Sequence, residues 1–158
     1  MEGITLNAEE KKMGIKGSST RQVFFNNVQV PAENLLSTRG NGFKIAVNIL
    51  NIGRIKLAGG VLGGSKGVID DAVNYSNERN QFGRPMSKYG MIKEKIARMS
   101  VKSFALESAV YRATQNIDDA IASLEKGGME KGIATLKGIA SFAPECAILK
   151  VFGSEVLD

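Results

Sequence analysis

The stretch Asn77–Pro85, "NERNQFGRP", separates two long helical patterns and sets how the chain folds back on itself. Gly83 and Pro85 can end a helix and reverse the chain, because glycine accepts turn conformations and proline lacks a backbone N–H donor. A turn between helices does not require the preceding run of arginine, asparagine, glutamine and phenylalanine, which begins at Arg79. The composition of this turn therefore indicates a binding role in addition to a structural one.

The pattern before this turn predicts one helix over residues 42–78. Its apolar residues recur every seven positions in two rows: Phe43, Leu50 and Leu57, and Val47, Val61, Val68 and Tyr75. Arg54 occupies the position that the second row skips. A buried arginine is costly without a partner. Arg54 therefore either reaches a carboxylate on a neighbouring helix or lines a pocket as a free cation, and the pattern leaves both alternatives open.

The same helix contains six glycines between Gly53 and Gly67. Each weakens a helix by about 1 kcal/mol relative to alanine, so we expect close approach by another helix or by a flat ligand. The segment "GGVLGGSKG" does not fit a phosphate-binding loop, because Ser65 precedes Lys66 and no strand leads into it.

After the turn, the pattern predicts a second helix over residues 87–115, a mainly polar connection over 116–128 with a short helix of its own, a helix over 130–141 and a last helix from 143 to the end of the chain. The second helix has an apolar stripe at helical spacing, formed by Ile92, Ile96, Met99, Ser103, Leu106 and Val110. We therefore predict a mainly α fold, an up-and-down bundle of antiparallel helices, which looks truncated.

Residues 1–31 instead predict β-structure. "GITLN", residues 3–7, reads as one strand, and "RQVFFNNVQVP", residues 21–31, as a second. The alternation of apolar residues changes parity between Phe25 and Val28, which indicates a bulge at Asn26 and Asn27. Two strands do not make a stable sheet alone, so we interpret residues 1–35 as a remnant of a β-domain.

The net charge of +5 and the pI near 9.4 suit an anionic partner such as a nucleotide cofactor or a coenzyme A ester. Lysine and arginine are spread along the chain without interleaved aromatic residues, which argues against nucleic-acid binding. Histidine is absent, so Ser-His and Cys-His nucleophilic machinery is excluded. Cys146 is the only cysteine, in an apolar setting typical of a buried small residue, and no thiolate metal site is expected. The sequence contains no run of 18 or more apolar residues, so it does not predict a transmembrane segment.

Four segments in this order resemble the acyl-CoA dehydrogenase family. "KMGIKGSSTRQVFFNNVQVPAENLL" resembles the end of its middle β-domain, and "GFKIAVNILNIGRI" and "NERNQFGRPMSKYGMIKEKIARM" resemble the first helices of its C-terminal bundle. "ILKVFGSEVLD" resembles the third bundle helix and, with the first bundle helix, favours the very-long-chain branch. Residues 117–142 look like an insertion. The resemblance divides the chain into 1–35, from the middle domain, and 36–158, an incomplete C-terminal bundle whose last helix is missing.

The resemblance implies that the turn binds the FAD of a neighbouring protomer. It assigns Arg79 to the diphosphate, Gln81 to a nearby polar contact and Phe82 to packing on the adenine end, with further flavin contacts at Tyr89 and Gly90. A guanidinium suits phosphate oxygens and an aromatic ring suits a flat base, in agreement with these roles. A helix-ending turn with a surface arginine is the structural alternative.

The resemblance also places Asn51 and Arg54 near the coenzyme A moiety or the acyl channel, as substrate-binding residues. The implied reaction forms the α,β double bond of a fatty acyl-CoA. Some branches of the family carry their catalytic glutamate at the position of Gly53, so the base is expected downstream of this chain and no catalytic residue is assigned within it. Glu78, Glu94 and Glu107 are interpreted as solvated or paired carboxylates, and the fragment is expected to be inactive alone.

The resemblance further implies electron-transfer flavoprotein as the electron acceptor and a homodimer or homotetramer. An acyl-CoA oxidase fragment and a stand-alone helical interaction module remain as alternatives. An intracellular protein is expected, cytoplasmic if bacterial and in the mitochondrial matrix if eukaryotic.

Overall fold

The computed structural model describes residues 2–158, which form two compact units, one ending at Gly42 and the other spanning Phe43–Asp158. Four short strands and four α-helices follow each other along the chain. They are β1 (Ile4–Leu6), β2 (Val23–Phe25), α1 (Gly42–Glu78), β3 (Asn80–Gln81), β4 (Arg84–Pro85), α2 (Gly90–Lys126), α3 (Lys131–Ser141) and α4 (Ala143–Leu157). The predicted mainly α fold with a short β-segment before it is confirmed.

The N-terminal unit is a single antiparallel β-hairpin. Ile4 pairs with Phe25 and Leu6 with Val23. The first strand lies within its predicted range, but the second is shorter than predicted, because β2 ends at Phe25. Asn27 adopts a left-handed backbone conformation, with φ of 49°, and this turns the chain out of the strand. The change in apolar parity in the sequence therefore marks the end of the strand.

The helical unit has its main core where α1, α2 and α4 meet. Leu106 and Ala58 are fully buried there, and the other core residues are Leu62, Val110, Ala113 and Leu149. The predicted apolar stripe of α2 faces this core, with Ser103, Leu106 and Val110 buried. Lys66 of α1 donates a hydrogen bond to Glu107 of α2 at 2.6 Å, outside the core.

The predicted end of the second helix at residue 115 is wrong, since α2 continues to Lys126. The buried stripe continues beyond Val110 through Ala113 and Ile117, and Ile117 belongs to a second core cluster with Ile139 and Cys146. Burial of apolar residues in this additional segment against α3 and α4 outweighs the polar composition of the segment. The start also differs, because residues 86–88 form a 3-10 turn and α2 begins at Gly90.

Helices α3 and α4 begin where the sequence predicts. The side chain of Glu130 caps α3 by accepting a hydrogen bond from the Gly132 amide at 3.1 Å. Pro144 lies in the first turn of α4, where its missing N–H has no helical partner to lose. The two helices are bent by 57° relative to each other.

The bounds of α1 are those predicted, but the buried face is different. Phe43, Leu50 and Leu57 are 80%, 56% and 45% exposed. The buried residues of α1 lie on an adjacent face, and all except Leu62 are small or polar: Asn51, Ala58, Leu62, Ser65 and Ser76. Small residues are buried because α4 approaches α1 closely. A Cβ atom on Gly153 of α4 would lie 3.2 Å from the Cα of Ala58.

The glycines of α1 do not make the close packing that we predicted from their number. At five of the six, an added Cβ atom would meet nothing within 4 Å, and the sixth, Gly64, reaches only Leu157 at 4.0 Å. Close helix approach instead uses Gly138 and Gly153, which the sequence analysis did not select. At Gly138, a Cβ atom would lie 2.5 Å from Cγ1 and 3.2 Å from the backbone nitrogen of Ile121.

By length and composition alone, α1 could cross a membrane, since one 18-residue window has a mean hydropathy of 1.4. Within the described chain it instead packs against α2 and α4 and forms the ion pair between Lys66 and Glu107. We therefore interpret α1 as a bundle helix. One apolar helix is weak evidence for a membrane span.

We expect Gly138→Ala to lower the free energy of unfolding by about 1–3 kcal/mol, because the added methyl group would overlap Ile121 and its backbone cannot move freely. Gly67→Ala is the matched control in α1, where the site is open, and should be neutral or stabilising by up to about 1 kcal/mol. Urea unfolding of both variants, followed by circular dichroism, checks this. Equal stability of the two variants would contradict the close contact.

Candidate functional site

The turn between α1 and α2 is a miniature β-hairpin. β3 and β4 contain two residues each, with Asn80 opposite Pro85 and Gln81 opposite Arg84. Phe82 and Gly83 connect them and both have left-handed backbones, with φ of 52° and 79°. Two successive left-handed residues are the signature of the type I′ turn that suits a two-residue hairpin. The predicted turn is thus a defined structure between two helices.

Backbone hydrogen bonds fix this hairpin to the ends of both helices. The Arg79 amide donates to the Tyr75 carbonyl at 2.9 Å, which completes the last turn of α1, and the Met86 amide donates to the Arg79 carbonyl at 2.8 Å. The Tyr89 amide donates to the Met86 carbonyl at 3.0 Å. The Tyr89 carbonyl in turn accepts from the Ile92 and Lys93 amides in the first turn of α2. The hairpin is therefore held at both ends.

Phe82 is an unusual residue for its position. A left-handed backbone costs an L-residue other than glycine, asparagine or aspartate roughly 1–2 kcal/mol, and the Phe82 side chain is 94% exposed. Burial of the ring within the described chain therefore does not offset the backbone strain. Strained residues of this kind cluster at ligand-binding sites, so the ring is available to a partner outside this chain.

Three cationic residues lie within six positions of Phe82 in the sequence. Arg79, Arg84 and Lys88 are all exposed or half-buried, and among residues 2–158 none of them takes part in an ion pair. The Arg84 guanidinium instead lies over the Tyr89 ring, 4.2 Å from its centroid. Exposed guanidinium groups beside an aromatic ring can bind a phosphate and a flat base together.

The structure brings the five predicted cofactor-binding residues into one continuous segment. Arg79, Gln81 and Phe82 belong to the hairpin, Tyr89 ends the connection, and Gly90 is the first residue of α2. Gln81 is exposed, and its backbone carbonyl accepts a hydrogen bond from the Tyr89 hydroxyl at 2.7 Å. Arg84 was not among the predicted site residues, although it directly follows the Phe-Gly pair in the sequence.

The two predicted substrate-binding residues lie elsewhere, in α1. Arg54 lies 24 residues before the end of α1 at Glu78, which corresponds to roughly 36 Å along the helix axis. Asn51 is 2% exposed, and its Oδ1 atom accepts a hydrogen bond from Nη1 of Arg54 at 2.8 Å. No carboxylate within the described chain pairs with Arg54. The alternative of a carboxylate partner on a neighbouring helix is therefore not observed.

A cavity of about 180 Å³ lies between the helices beside Asn51. Its lining includes Ile55, Ile117, Ile139 and Cys146. Cys146 is fully buried, as its apolar setting predicts, and burial raises the pKa of its thiol. The sequence analysis did not predict this cavity, which exists because α2 extends far enough to meet α3.

The carboxylates interpreted as paired or solvated fit that interpretation. Glu94 pairs with Arg98 one turn later at 2.7 Å. Glu107 accepts the hydrogen bond from Lys66, which raises the pKa of that lysine. Residues 2–158 contain no cluster of three or more histidine, cysteine or carboxylate side chains that could hold a metal ion.

Known proteins match this chain in both sequence and fold. Residues 40–157 match the profile of the acyl-CoA dehydrogenase C-terminal domain. The chain is 46% identical to a probable acyl-CoA dehydrogenase of Bacillus subtilis, over 99% of the chain and 26% of that protein. It is 42% identical to the very long-chain specific acyl-CoA dehydrogenase of Rattus norvegicus mitochondria, over 97% of the chain and 21% of that protein.

A crystal structure of an acyl-CoA dehydrogenase from Bacillus anthracis, complexed with FAD, superposes with a TM-score of 0.82 and 44% identity. The match covers 99% of this chain and 27% of that one. The helical bundle of this chain is thus one of a known class. The chain belongs to the acyl-CoA dehydrogenase family, and it spans about a quarter of the length of the relatives it matches.

We expect Phe82→Asn to raise the free energy of unfolding by about 1 kcal/mol, because asparagine accepts the left-handed conformation that strains phenylalanine. Gly83→Ala, at the adjacent left-handed position, should lower it by about 1 kcal/mol or more. Both are measured by urea unfolding. A destabilising effect of Phe82→Asn would show that the phenyl ring supports the fold.

Proposed function

We propose that this chain is part of an FAD-dependent acyl-CoA dehydrogenase and that its β3–β4 hairpin contributes to the FAD site. The observation that carries the proposal is the strained and exposed ring of Phe82, in a hairpin that also contains the exposed Arg79, which has no ion pair among residues 2–158. Within the described chain, burial of the phenyl ring does not offset the strain of this backbone position. Membership of the family supplies the chemical identity of the partner.

The hairpin residues fit the diphosphate and the adenine of FAD. Arg79 offers a guanidinium for the diphosphate oxygens, and Gln81 offers an amide that can donate or accept. Phe82 offers a flat apolar face for the adenine. Tyr89 and Gly90, at the start of α2, complete the proposed site. We expect the hairpin to serve the FAD of a neighbouring protomer, within a homodimer or homotetramer.

For the whole protein, we propose oxidation of a fatty acyl-CoA thioester to its α,β-unsaturated product. A carboxylate removes the α-proton, and bound FAD supplies the acceptor for the β-hydride. Asn51 and Arg54 are the proposed substrate-binding residues of this chain. The half-buried Arg54 has only a neutral amide partner among residues 2–158, which leaves its charge available to an anionic group of the substrate.

The catalytic carboxylate is proposed to lie downstream of this chain. Gly53 cannot remove a proton, and Glu94 and Glu107 are engaged in ion pairs. The isolated chain should therefore be inactive. In the same proposal, residues 1–35 end the middle β-domain and residues 36–158 form an incomplete C-terminal bundle of the very-long-chain branch.

Electron-transfer flavoprotein is the proposed electron acceptor, and the proposed compartment is the cytoplasm of a bacterium or the mitochondrial matrix of a eukaryote. An acyl-CoA oxidase would use the same hairpin with oxygen as acceptor. A stand-alone helical module is not favoured, because the match to the C-terminal domain extends over residues 40–157.

Arg79→Ala in the complete protein should weaken FAD affinity by about 10- to 100-fold, as expected for the loss of a hydrogen bond to a charged group. Arg112→Ala, on the exposed surface of α2, is the matched control and should bind FAD normally. Fluorescence titration of the apoprotein with FAD measures both. Unchanged affinity in Arg79→Ala would refute the hairpin as part of the site.

Titration of the complete protein with acyl-CoAs of increasing length tests the reaction. The visible absorbance of the oxidised flavin should bleach under argon and recover on addition of electron-transfer flavoprotein. It should recover little in air, because bound product keeps oxygen away from the reduced flavin. Rapid recovery in air, with peroxide release, would instead identify an oxidase. Absence of bleaching at every chain length would reject acyl-CoA as the substrate.

A further inference from the structure

The Tyr89 side chain reaches back from the start of α2 to the two residues that flank the strained turn. Its hydroxyl donates to the Gln81 carbonyl at 2.7 Å, directly before Phe82. Its ring lies under the guanidinium of Arg84, directly after Gly83. One side chain thereby contacts both strands of the hairpin, at the residue pair next to the turn.

The anchor of this side chain is rigid. The Tyr89 amide donates to Met86 at 3.0 Å, and its carbonyl accepts from the Ile92 amide at 3.1 Å and the Lys93 amide at 3.0 Å. The side chain is itself half-buried. These bonds fix the Tyr89 backbone relative to α2. The hydrogen bond from the Tyr89 hydroxyl then holds the Gln81 carbonyl, next to the turn, relative to α2 as well.

A phenol has a single hydrogen to donate. In this structure that hydrogen goes to the Gln81 carbonyl, so it is not available to a phosphate oxygen while the hairpin keeps this form. The contact of the Arg84 guanidinium with the ring is a cation–π interaction, which holds the cation beside the turn without neutralising it. Both contacts act on the conformation of the hairpin.

We propose that Tyr89 is a positioning residue, which together with Arg84 holds the Gln81–Arg84 turn in its left-handed form before the nucleotide binds. The proposal rests on the proposed function, and within that site it replaces the flavin contact expected for Tyr89 with a role in holding the turn. A turn that is already formed spares the nucleotide the cost of ordering it, so affinity should depend on Tyr89 without any contact between them.

The test is Tyr89→Phe in the complete protein, which removes the hydroxyl and keeps the ring. We expect FAD affinity to fall by about three- to tenfold, the value of one neutral hydrogen bond. In the apoprotein, the Met86 amide, which closes the hairpin on Arg79, should exchange its hydrogen faster. Tyr111→Phe, an exposed tyrosine of α2, is the control and should change neither quantity.

A double-mutant cycle separates a positioning role from a general structural one. In Phe82→Asn the turn is no longer strained, so adding Tyr89→Phe should no longer accelerate Met86 exchange. If Tyr89→Phe accelerates exchange equally in both backgrounds, the hydroxyl stabilises the connection in general and the proposal is wrong.

The remaining outcomes are also distinguishable. Weaker FAD binding with unchanged exchange would mean that Tyr89 contacts the nucleotide itself, which overturns the positioning role. No change in either quantity overturns it as well. Faster exchange with normal FAD affinity, in a protein where Arg79→Ala does impair binding, would leave the proposed site intact and reject this inference alone. Normal affinity in Arg79→Ala would reject the site itself.

Discussion

The left-handed turn at Phe82 and Gly83 organises the helical unit. It joins two helices of 37 residues each and reverses the chain in two residues. Leu62 and Leu106 lie at similar sequence distances on the two sides of the turn, and both belong to the main core. A change in the turn would rotate one long helix relative to the other, and the displacement would grow along its length. The geometry of the turn and the packing of the core therefore specify each other.

The same turn contains the strongest indication of function. A fold could reverse its chain there with asparagine and glycine at no conformational cost, yet the chain presents a strained and exposed aromatic ring. Strained residues that surrounding contacts hold in place are typical of binding sites, where the protein loses some stability but keeps a binding side chain in a fixed orientation. Here the surrounding contacts are the backbone bonds of Arg79 and Met86 and the side chain of Tyr89. The fold and the site are thus supported by the same contacts.

Features that depend on neighbours in sequence were predictable, and features that depend on distant neighbours were not. The bounds of α1, the capped start of α3 at Glu130 and the position of Pro144 follow from local backbone chemistry. The buried face of α1 was predicted wrongly, because large apolar residues suggested one face while close approach of Gly153 selected another. The end of α2 was placed too early, since its polar residues concealed the contact of Ile117 with α3.

The candidate site likewise has some features that were predictable from the sequence and others that depend on tertiary contacts. Residue types alone establish that a turn rich in arginine, amide and aromatic side chains lies between two helices, because these residues are chemically distinctive and adjacent. The packed chain was needed to show that Phe82 is left-handed and exposed and that the Tyr89 hydroxyl is bonded to Gln81. It was also needed to show that Arg54 has an amide as its partner. Backbone conformation and hydrogen-bond partners are selected by the packing of whole elements, and residue types only limit the choice.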